Sequence, residues 1–415
     1  MYKEILKKLF YLDRSLLGEN NNKALELISE VAPLKIHTFK SGQDVLDWTV
    51  PKEWRLKKAI LKTENGQVIC DASENILRVV NCSHSVNKRL SYDELKDHLH
   101  FSSKIDDAIP YRTSYYSKKW GFCLTKKEYD NLDKNINYLV EIESEFLDSE
   151  VRVGEMKIPG TSEKEIIFTS YLCHPRQAHD GLSGVIALLQ LYDILKNRNN
   201  TYTYRLFFMP ETIGPICLLD EKIIDNKNVE YCFVSTCVGS GKDLFYKKTF
   251  LGNHPIDNII CSNKQVKQIE FFPNGSDERQ FSSPKIRIPT GSIMSKMYGD
   301  YDEYHTSQDD LDFIEFDVIS KIVNFYVSIL EQYEQREPLI INHAGGEPFL
   351  SKKGLYRDIG ATRDLKSDKI RNWILFYCDG HHSIIDISEK INEPIETLKP
   401  IVDLLIEKNI ISKVK

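Results

Sequence analysis

The spacing of apolar residues changes twice along the chain. Residues 1–35 carry apolar side chains at helical spacing, which predicts one or two amphipathic helices facing a core. From about 45 to 150 the apolar runs are short and are separated by turn residues, a pattern typical of strands. KAILKTENGQVICDA has Asn-Gly between two strand-like runs and predicts a β-hairpin. Within residues 1–35, the apolar positions expected to face the core are Leu6, Leu9, Phe10, Leu16 and Leu17.

After residue 150, strand-like and helix-like runs alternate. EIIFTSYLC and YTYRLFFMP are typical of strands, and GLSGVIALLQLYDILKNR between them is typical of a helix. A short helix near 214–223, a strand at 229–237 and a long amphipathic helix within 312–333 are predicted to follow. Such alternation predicts an α/β layer whose strands are buried.

The last part of the chain has the pattern of a separate small domain. Residues 336–354 hold two Pro and three Gly, which predicts a linker. SDKIRNWILFYC predicts a helix that continues through DGHHSIIDISEKI, and PIETLKPIVDLLIEKNII predicts a further helix ending in a short strand. Three helices with a small hairpin make a winged helix.

Composition narrows the class of protein. The 415 residues are 41% hydrophobic and 28% charged, with a formal net charge of −6, as expected for a soluble globular protein of two or three domains. An acidic balance argues against a general nucleic-acid binder. Nine scattered cysteines without a CxxC pair indicate buried free thiols in a reducing cytoplasm. The chain shows no signal-peptide pattern and no apolar run of membrane length, so we expect a cytoplasmic protein without a membrane partner.

Charge also bears on the predicted winged helix. Residues 354–415 contain ten Lys/Arg and ten Asp/Glu, so the surplus of positive charge that phosphate contacts need is absent. We therefore expect this domain to pack, to dimerise or to dock a partner rather than to bind DNA. A homo-oligomer fits this interpretation.

Two stretches that follow predicted strands combine histidine with carboxylates. In YLCHPRQAHDGLSG, His174 leaves a strand and Asp180 precedes a helix, and in YDEYHTSQDDLDFI, His305 lies among aromatic residues ahead of a helix. The carboxyl ends of strands are where α/β sheets place ligand-binding groups. Asp180 is equally explained as a helix N-cap, and His305 as an ordinary loop histidine beside a capping Asp309 or Asp310.

Two further stretches supply carboxylates. In FFMPETIG, Glu211 directly follows a bulky apolar strand, where a carboxylate is costly unless it is paired or has a task. Its alternative is a helix-start carboxylate favoured by the macrodipole. In NGSDERQFSSP, Asp277 and Glu278 lie in a loop rich in Gly, Ser and Pro, where solvated loop charge is the alternative. Taken together, two His and several carboxylates are the ligands that Zn²⁺ accepts at non-thiolate sites.

The order of these stretches and the residues within them resemble the M28 family of zinc aminopeptidases, whose sequence pattern is His, DNxSG, EExG, SDH and YHTxxD in chain order. This match covers about 150–335. A closer resemblance, to the aminopeptidase-like proteins of the DUF4910/DUF2172 group, runs nearly end to end and includes a C-terminal winged helix. It is carried by SGQDVLDWTVPKEW, AIPYRTSYY, WGFCL, YLCHPRQAHDGLSG, SDERQFSSP and EYHTSQDDLDF.

The resemblance implies the fold and the domain layout. The expected fold is α/β, an M28-like zinc-exopeptidase sandwich with a mixed sheet between helices. A catalytic domain is expected over 1–45 and 150–338, an inserted β-rich domain over 46–149 and a winged helix over 352–415. Members of the group are often associated with surface-polysaccharide or glycan biosynthesis, which is thereby implied for this chain.

The family roles carry over residue by residue. The resemblance implies that His174 binds one metal ion and that Asp180 bridges two. It further implies that Asp277 completes the protein ligands of the first ion and that His305 binds the second. Glu211, matched by its distance to the following Gly of FFMPETIG, is implied as the general base.

The chain departs from the family at one ligand. Where the peptidases have a second Glu as ligand of the second ion, this chain has Thr212, and a hydroxyl is a poor substitute for a carboxylate on Zn²⁺. Three outcomes stay open: a site with one zinc or another divalent ion, Glu211 turning to the metal, or Glu278 compensating.

The sequence therefore predicts a zinc-dependent amide or peptide hydrolase acting on a small-molecule or peptide substrate, such as an aminoacyl or N-acyl glycan precursor. A metal-activated water would be the nucleophile, with Tyr298, Tyr301 or Tyr304 as candidates for stabilising the oxyanion. The alternative is a catalytically altered scaffold of the same fold that uses its winged helix to bind partners. The aromatic residues of 45–150 are expected to pack mostly in that segment's own core, while some cover the site.

Overall fold

The computed structural model describes residues 1–355 and 365–414, which belong to two compact units, 1–327 and 328–415. The first unit begins with the two predicted amphipathic helices, which bury one apolar face each. Three strands follow. These elements are α1 (Tyr2–Phe10), α2 (Glu19–Ser29), β1 (Lys35–Lys40), β2 (Asp44–Val45) and β3 (Trp48–Thr49). Within the described residues, no helix combines the length and the apolar character that a bilayer crossing requires.

The next segment forms a four-stranded antiparallel sheet with its own core. Its elements are β4 (Glu53–Thr63), β5 (Val68–Asp71), β6 (Val86–Ser91), α3 (Tyr92–Leu95), β7 (Leu99–His100), β8 (Phe122–Cys123), α4 (Lys126–Asp130) and β9 (Asn137–Leu147). The strand order is β5-β4-β9-β6, and Trp54 and Tyr138 lie in the core beneath it. β4 and β5 pair antiparallel around the Asn-Gly turn, which confirms the predicted hairpin.

The rest of the first unit alternates strands and helices, as predicted. Its elements are β10 (Glu150–Ile158), β11 (Glu165–Tyr171), α5 (Ser183–Leu195), β12 (Thr203–Met209), α6 (Ile213–Asp220), β13 (Val229–Ser235), β14 (Leu244–Lys247), α7 (Pro255–Ser262), β15 (Val266–Ile269), α8 (Glu278–Phe281), β16 (Thr290–Met294) and α9 (Phe316–Glu334). Together with β1 they build a mixed eight-stranded sheet in the order β1-β10-β12-β11-β13-β16-β14-β15.

The central strands of this sheet are buried on both faces. All seven residues of β12 are buried. Ile167 and Phe207 pack in the core that includes α6, whereas Phe168 and Phe233 pack against Tyr326 of α9. Strands covered on both faces need near-continuous apolar sequence, and for this reason EIIFTSYLC and YTYRLFFMP are recognisable as strands.

The chain changes direction across the sheet at β11. It passes from β11 to its neighbour β12 and then to β13 on the opposite side of β11. In open α/β sheets, ligands bind outside the carboxyl ends of the strands at such a switch point. Gly184 in α5 allows the helix to approach closely there, because a Cβ at this position would lie 1.9 Å from the carbonyl oxygen of Ser235 in β13. The architecture thus gathers the ends of β11, β12 and β13 and the start of α5.

The second unit contains the predicted winged helix, but it uses different residues for its small sheet. Its elements are β17 (Pro338–Ile341), α10 (Leu365–Tyr377), β18 (Asp379–Ser383), α11 (Ile384–Ile391), α12 (Ile395–Glu407) and β19 (Ile411–Lys413). The predictions of a linker throughout 336–354 and of a continuous helix through DGHHS were wrong. β17 pairs antiparallel with both β18 and β19, partners that are distant in sequence. Residues 356–364 and Lys415 of the predicted domain lie outside the described residues.

Candidate functional site

Three of the predicted site residues meet at the carboxyl edge of the sheet. His174 lies just beyond the end of β11, Asp180 precedes α5, and His305 lies in the loop between β16 and α9. One ligand atom from each residue lies within 4.8 Å of the other two. Three protein ligands with an open position are the arrangement that catalytic zinc sites use. These three residues are called the ligand group below.

The side-chain atoms of the ligand group fit a cation better than they fit each other. Asp180 Oδ2 and His305 Nε2 lie 2.9 Å apart, yet neither atom forms a hydrogen bond, and both are shielded from solvent. Buried polar atoms without a partner are rare, because each costs about 1–3 kcal/mol. A divalent cation beside these two atoms would give both of them a partner. The residues present therefore fit the metal ion that the resemblance implies.

The charge states of the group also suit a metal ligand set. Burial lowers the pKa of His174 to about 4, so its imidazole is neutral at neutral pH, as ligation requires. Burial alone would raise the pKa of Asp180, but the neighbouring His174 and His305 outweigh it and hold the pKa below its usual range. The group thus presents a carboxylate together with a neutral imidazole from His174.

The loop that carries Asp180 is held by another buried carboxylate, that of Asp309. This carboxylate accepts the backbone N–H groups of Ala178 at 3.1 Å, His179 at 2.5 Å and Asp180 at 2.9 Å. The Tyr171 hydroxyl donates to the carboxylate of Asp180 from the end of β11. These contacts fix both the backbone and the side chain of Asp180.

The two helix-capping alternatives are wrong. The residue preceding α5 is Leu182, and no side chain caps that helix, so Asp180 has no capping role there. Asp309 lies seven residues before the first residue of α9, and its carboxylate binds the turn at 178–180 instead.

Glu211 lies beside the ligand group. It follows the end of β12, and one of its carboxylate oxygens is 4.0 Å from His174 Nε2. Its backbone N–H donates to Cys173 Sγ at 3.3 Å. Burial, reinforced by the carboxylates of Asp277 and Asp180, raises the pKa of Glu211 well above its ordinary value. A carboxyl group in this position beside the ligand group is a candidate for taking up and returning a proton.

Asp277 and Glu278 have different surroundings. Asp277 accepts the backbone N–H of Thr212 at 2.7 Å, and burial raises its pKa to about 7. It does not belong to the ligand group. The Ser292 hydroxyl donates to the carboxylate of Glu278, and Lys247 Nζ lies 3.7 Å from that carboxylate. One oxygen of Glu278 is thus bound by Ser292, the other is buried without a hydrogen-bond partner, and the residue lies outside the ligand group.

Thr212 adopts a strained backbone conformation. Its φ is +67° and its ψ −65°, and the N–H of Ile213 donates to the carbonyl oxygen of Glu211 at 2.8 Å. This is a γ-turn of the rare positive-φ kind, which is costly for a β-branched residue. The Thr212 hydroxyl accepts a hydrogen bond from Arg279 Nη2 at 3.0 Å. Where the M28 pattern has a carboxylate, this chain thus presents a hydroxyl bound to a guanidinium.

Aromatic rings line the ligand group. The Tyr111 ring contacts both His174 and His305 edge-on, with centroid distances of 5.2 Å, and its N–H donates to the carbonyl oxygen of His305 at 2.7 Å. Tyr304 stacks on His305 at 3.9 Å. The strand-rich segment therefore contributes one ring to the site, whereas Trp54 packs in the segment's own core, as predicted for most of its aromatic residues.

The three tyrosines that are close to His305 in sequence make different contacts in the structure. Tyr304 is the one stacked on the ligand group, through His305. The Tyr298 hydroxyl accepts a hydrogen bond from Lys247 Nζ at 2.8 Å, and the Tyr301 hydroxyl donates to the carboxylate of Asp309 at 3.4 Å. Tyr304 is thus the candidate that lies nearest the ligand group.

Sequence reasoning missed two features of the site. The contact between Arg279 and Thr212 joins residues that are 67 positions apart, and no periodicity indicates it. The cradle formed by Asp309 joins residues about 130 positions apart. A signal was present for each: Arg279 lies in SDERQFSSP, and Asp309 occupies the last position of YHTxxD.

Comparisons with known proteins identify the family of the chain and its C-terminal domain. A family described as a domain of unknown function, DUF4910, matches residues 3–336, and a winged helix-turn-helix family matches 339–413. A Clostridium acetobutylicum protein, provisionally named a polysaccharide biosynthesis protein with aminopeptidase-like domain, is 38% identical over 408 residues, covering 97% of this chain and 93% of its own length. A crystal structure from the same organism, provisionally called a peptidase, superimposes with a TM-score of 0.79 at 35% identity, covering 100% of this chain and 96% of its own.

More distant structures share the fold. The zinc aminopeptidase BSAP from Bacillus subtilis has a TM-score of 0.56 at 12% identity, covering 80% of this chain and 95% of its own. A peptidase M28 precursor from Shewanella amazonensis has a TM-score of 0.57 at 13% identity, covering 79% and 92%. These similarities confirm the predicted M28-like mixed α/β fold. The chain belongs to the DUF4910 family, with an M28 aminopeptidase-like fold followed by a winged helix.

Proposed function

We propose that this protein is a metal-dependent hydrolase of amide or peptide bonds, with zinc as the expected ion. His174, Asp180 and His305 hold the ion, and Glu211 is the general base. The observation that carries the proposal is the pair of unpartnered atoms, Asp180 Oδ2 and His305 Nε2, which are buried 2.9 Å apart without a hydrogen bond.

When bound, a divalent ion at this position supplies Lewis acidity and lowers the pKa of water toward about 7. The residues of the chain then have separate tasks. Glu211 accepts a proton from the attacking water and returns it to the leaving amine, because its carboxylate lies beside the ligand group, 4.0 Å from His174 Nε2. Tyr111 and Tyr304 hold the two imidazoles in place through ring contacts. Asp309 holds the backbone of Asp180.

Asp277 is proposed as a further ligand, as the resemblance implies. Its carboxylate is buried next to Glu211, and the raised pKa of both groups reflects negative charge crowded into a protein interior. A divalent cation would relieve this crowding and return both groups to the ionised state. Metal content of Asp277→Asn tests this role separately from the ligand group.

The proposed substrate is an aminoacyl or N-acyl compound of polysaccharide biosynthesis. Support comes from the name of the Clostridium acetobutylicum relative, which couples polysaccharide biosynthesis to an aminopeptidase-like domain. The side chains of Glu211 and His305 are 21% and 34% exposed, so the site is in contact with solvent.

Metal analysis and turnover test the proposal together. Protein purified without chelators should contain stoichiometric zinc, manganese or iron, and His174→Ala should lose at least one ion while the exposed His381→Ala keeps it. Glu211→Gln should keep the metal but lose at least about 100-fold in turnover of aminoacyl or N-acyl sugar substrates, the contribution typical of a general base. The matched control Glu163→Gln makes the same chemical change at an exposed position.

The alternative, a scaffold of the same fold, is favoured by one observation, the replacement of a ligand carboxylate by Thr212. Metal content and the turnover of Glu211→Gln distinguish the hydrolase from the scaffold. A protein without stoichiometric metal contradicts the hydrolase, and full turnover in Glu211→Gln contradicts the role of that residue as base.

A further inference from the structure

The corner of the site formed by Thr212 carries positive rather than negative charge. The guanidinium of Arg279 donates to the Thr212 hydroxyl at 3.0 Å, and the backbone N–H of Thr212 donates to the carboxylate of Asp277. Arg279 is close enough to Glu211 and Asp277 to oppose the rise in their pKa values. A cation therefore lies near Glu211 and Asp277, in contact with the residue that occupies the position of a metal-binding carboxylate in the M28 pattern.

Arg279 has no carboxylate partner within the described residues. None of the ion pairs of the structure includes it at 4.0 Å or less, and its Nε is buried without a hydrogen-bond partner. The residue as a whole is only half-buried. An arginine near two carboxylates would ordinarily pair with one of them through its planar fork. Here the fork has unused donors.

Lys247, the neighbouring cation, does not have the unpaired charge of Arg279. Lys247 Nζ donates to the carbonyl oxygen of Asn274 at 2.9 Å and to the Tyr298 hydroxyl at 2.8 Å, and it lies 3.7 Å from Glu278. Two of its donors are thus engaged by protein oxygens, and its charge is paired with a carboxylate. Arg279, in contrast, combines charge, partial exposure and unpaired donors.

We propose that Arg279 binds an anionic group of the substrate, a carboxylate or a phosphate, next to the ligand group. This inference deepens the proposed function: the substrate is an acidic amide, with its amide at the ligand group and its oxyanion on the guanidinium. The planar fork of arginine binds two oxygens of such a group at once. The rare backbone conformation of Thr212 serves this purpose, because it directs the hydroxyl to Arg279 and steadies the guanidinium.

Binding measurements on the full chain test this proposal without relying on turnover. Each variant is first analysed for metal content, and calorimetry then measures the affinity for two probes, inorganic phosphate and N-acetylaspartate. Arg279→Gln should bind at least one probe ten or more times more weakly than wild type, at equal metal content. Arg279→Lys should recover part of the loss, since it keeps the charge but not the fork.

Thr212→Val distinguishes binding from a structural role. It removes the hydroxyl that steadies the guanidinium but keeps the guanidinium itself, so its affinity for the probe should fall, but by less than that of Arg279→Gln. A loss confined to phosphate indicates a phosphorylated substrate, and a loss confined to N-acetylaspartate a carboxylate. Equal affinity of wild type and Arg279→Gln for both probes, or no binding by wild type, overturns the proposal. Since metal content is measured first, failure of the metal site is recognised separately, and the probes can still be tested on metal-free protein.

Discussion

Replacement of Asp309 by alanine tests how the site is built. The Asp309 carboxylate accepts three backbone N–H groups of the loop that carries Asp180, and it is fully buried. In Asp309→Ala the N–H of Ala178 keeps a partner, because it also donates to the backbone carbonyl oxygen of residue 309 at 2.9 Å. The N–H groups of His179 and Asp180 lose the carboxylate.

The expected loss of stability follows from those two groups. A buried donor left without a partner costs about 1–3 kcal/mol, so two of them cost about 2–6 kcal/mol. Water entering the space left by the carboxylate would lower this figure, and we expect about 3–4 kcal/mol. The displaced loop should also weaken the metal site, since removing a group that orients a ligand typically costs about 10–100-fold in metal affinity.

Two assays measure these effects. Thermal and urea unfolding of metal-free protein in EDTA give the change in stability, and titration of folded protein with zinc gives the change in affinity. Asp302→Ala is the matched control on the same loop, because its exposed carboxylate lies 3.5 Å from Lys104 Nζ, and such a surface pair is worth about 1 kcal/mol or less.

Unchanged stability of Asp309→Ala would refute the assignment of these hydrogen bonds. Lower stability with unchanged zinc affinity of the folded protein would refute the positioning of Asp180 by Asp309. Asp309→Asn adds an intermediate case: its amide oxygen still accepts one N–H, while its NH₂ faces another donor. Its loss of stability should lie between those of the control and the alanine variant.

Three further changes test other parts of the fold. Gly184→Ala places a Cβ 1.9 Å from the carbonyl oxygen of Ser235. It should lower the free energy of unfolding, measured by urea titration, by about 3 kcal/mol. A loss smaller than about 1 kcal/mol would contradict this packing. The pKa of buried Glu155 is lowered to about 2, because hydrogen bonds, including one from Arg205 at 2.6 Å, outweigh the effect of burial. The stabilisation that Glu155 contributes is therefore present above the unfolded pKa of about 4.3 and is lost as the pH falls toward 2. Glu155→Gln should flatten this part of the curve of stability against pH. Among the cysteines, Cys261 is the one not fully buried, so a thiol reagent should modify it first in native protein and the others only on unfolding; rapid labelling of several thiols would contradict the buried assignment.

The extent to which the fold was predictable differs between the two units. In the first unit, β11, β12 and β13 are covered on both faces, and burial imposes an apolar run that stands out against helical periodicity. In the second unit, the apolar run of β17, Leu339–Ile341, is only three residues long and lies between Pro and Gly residues. It is a strand because residues 379–383 and 411–413 pair with it, and pairing partners this distant leave no local pattern.

The sequence by itself determined which residue types are available at the candidate site. The motif around His174, together with FFMPETIG and the His305 stretch, supplied the two histidines and the carboxylates of the predicted metal site, and alternating strands and helices predicted an α/β layer with these groups at the ends of its strands. It also revealed that a carboxylate is missing at Thr212. These conclusions depend on residue type and order, which the sequence records directly.

Only the tertiary structure decided how those residues are held and what surrounds them. The cradle of Asp309 on the loop of Asp180, the ring of Tyr111 against two imidazoles and the contact of Arg279 with Thr212 all join residues far apart in sequence. Such contacts arise because the sheet brings the carboxyl ends of its strands together, while the strand-rich segment reaches the same edge. Hydrogen bonds and burial then set charge states that residue type alone leaves undetermined.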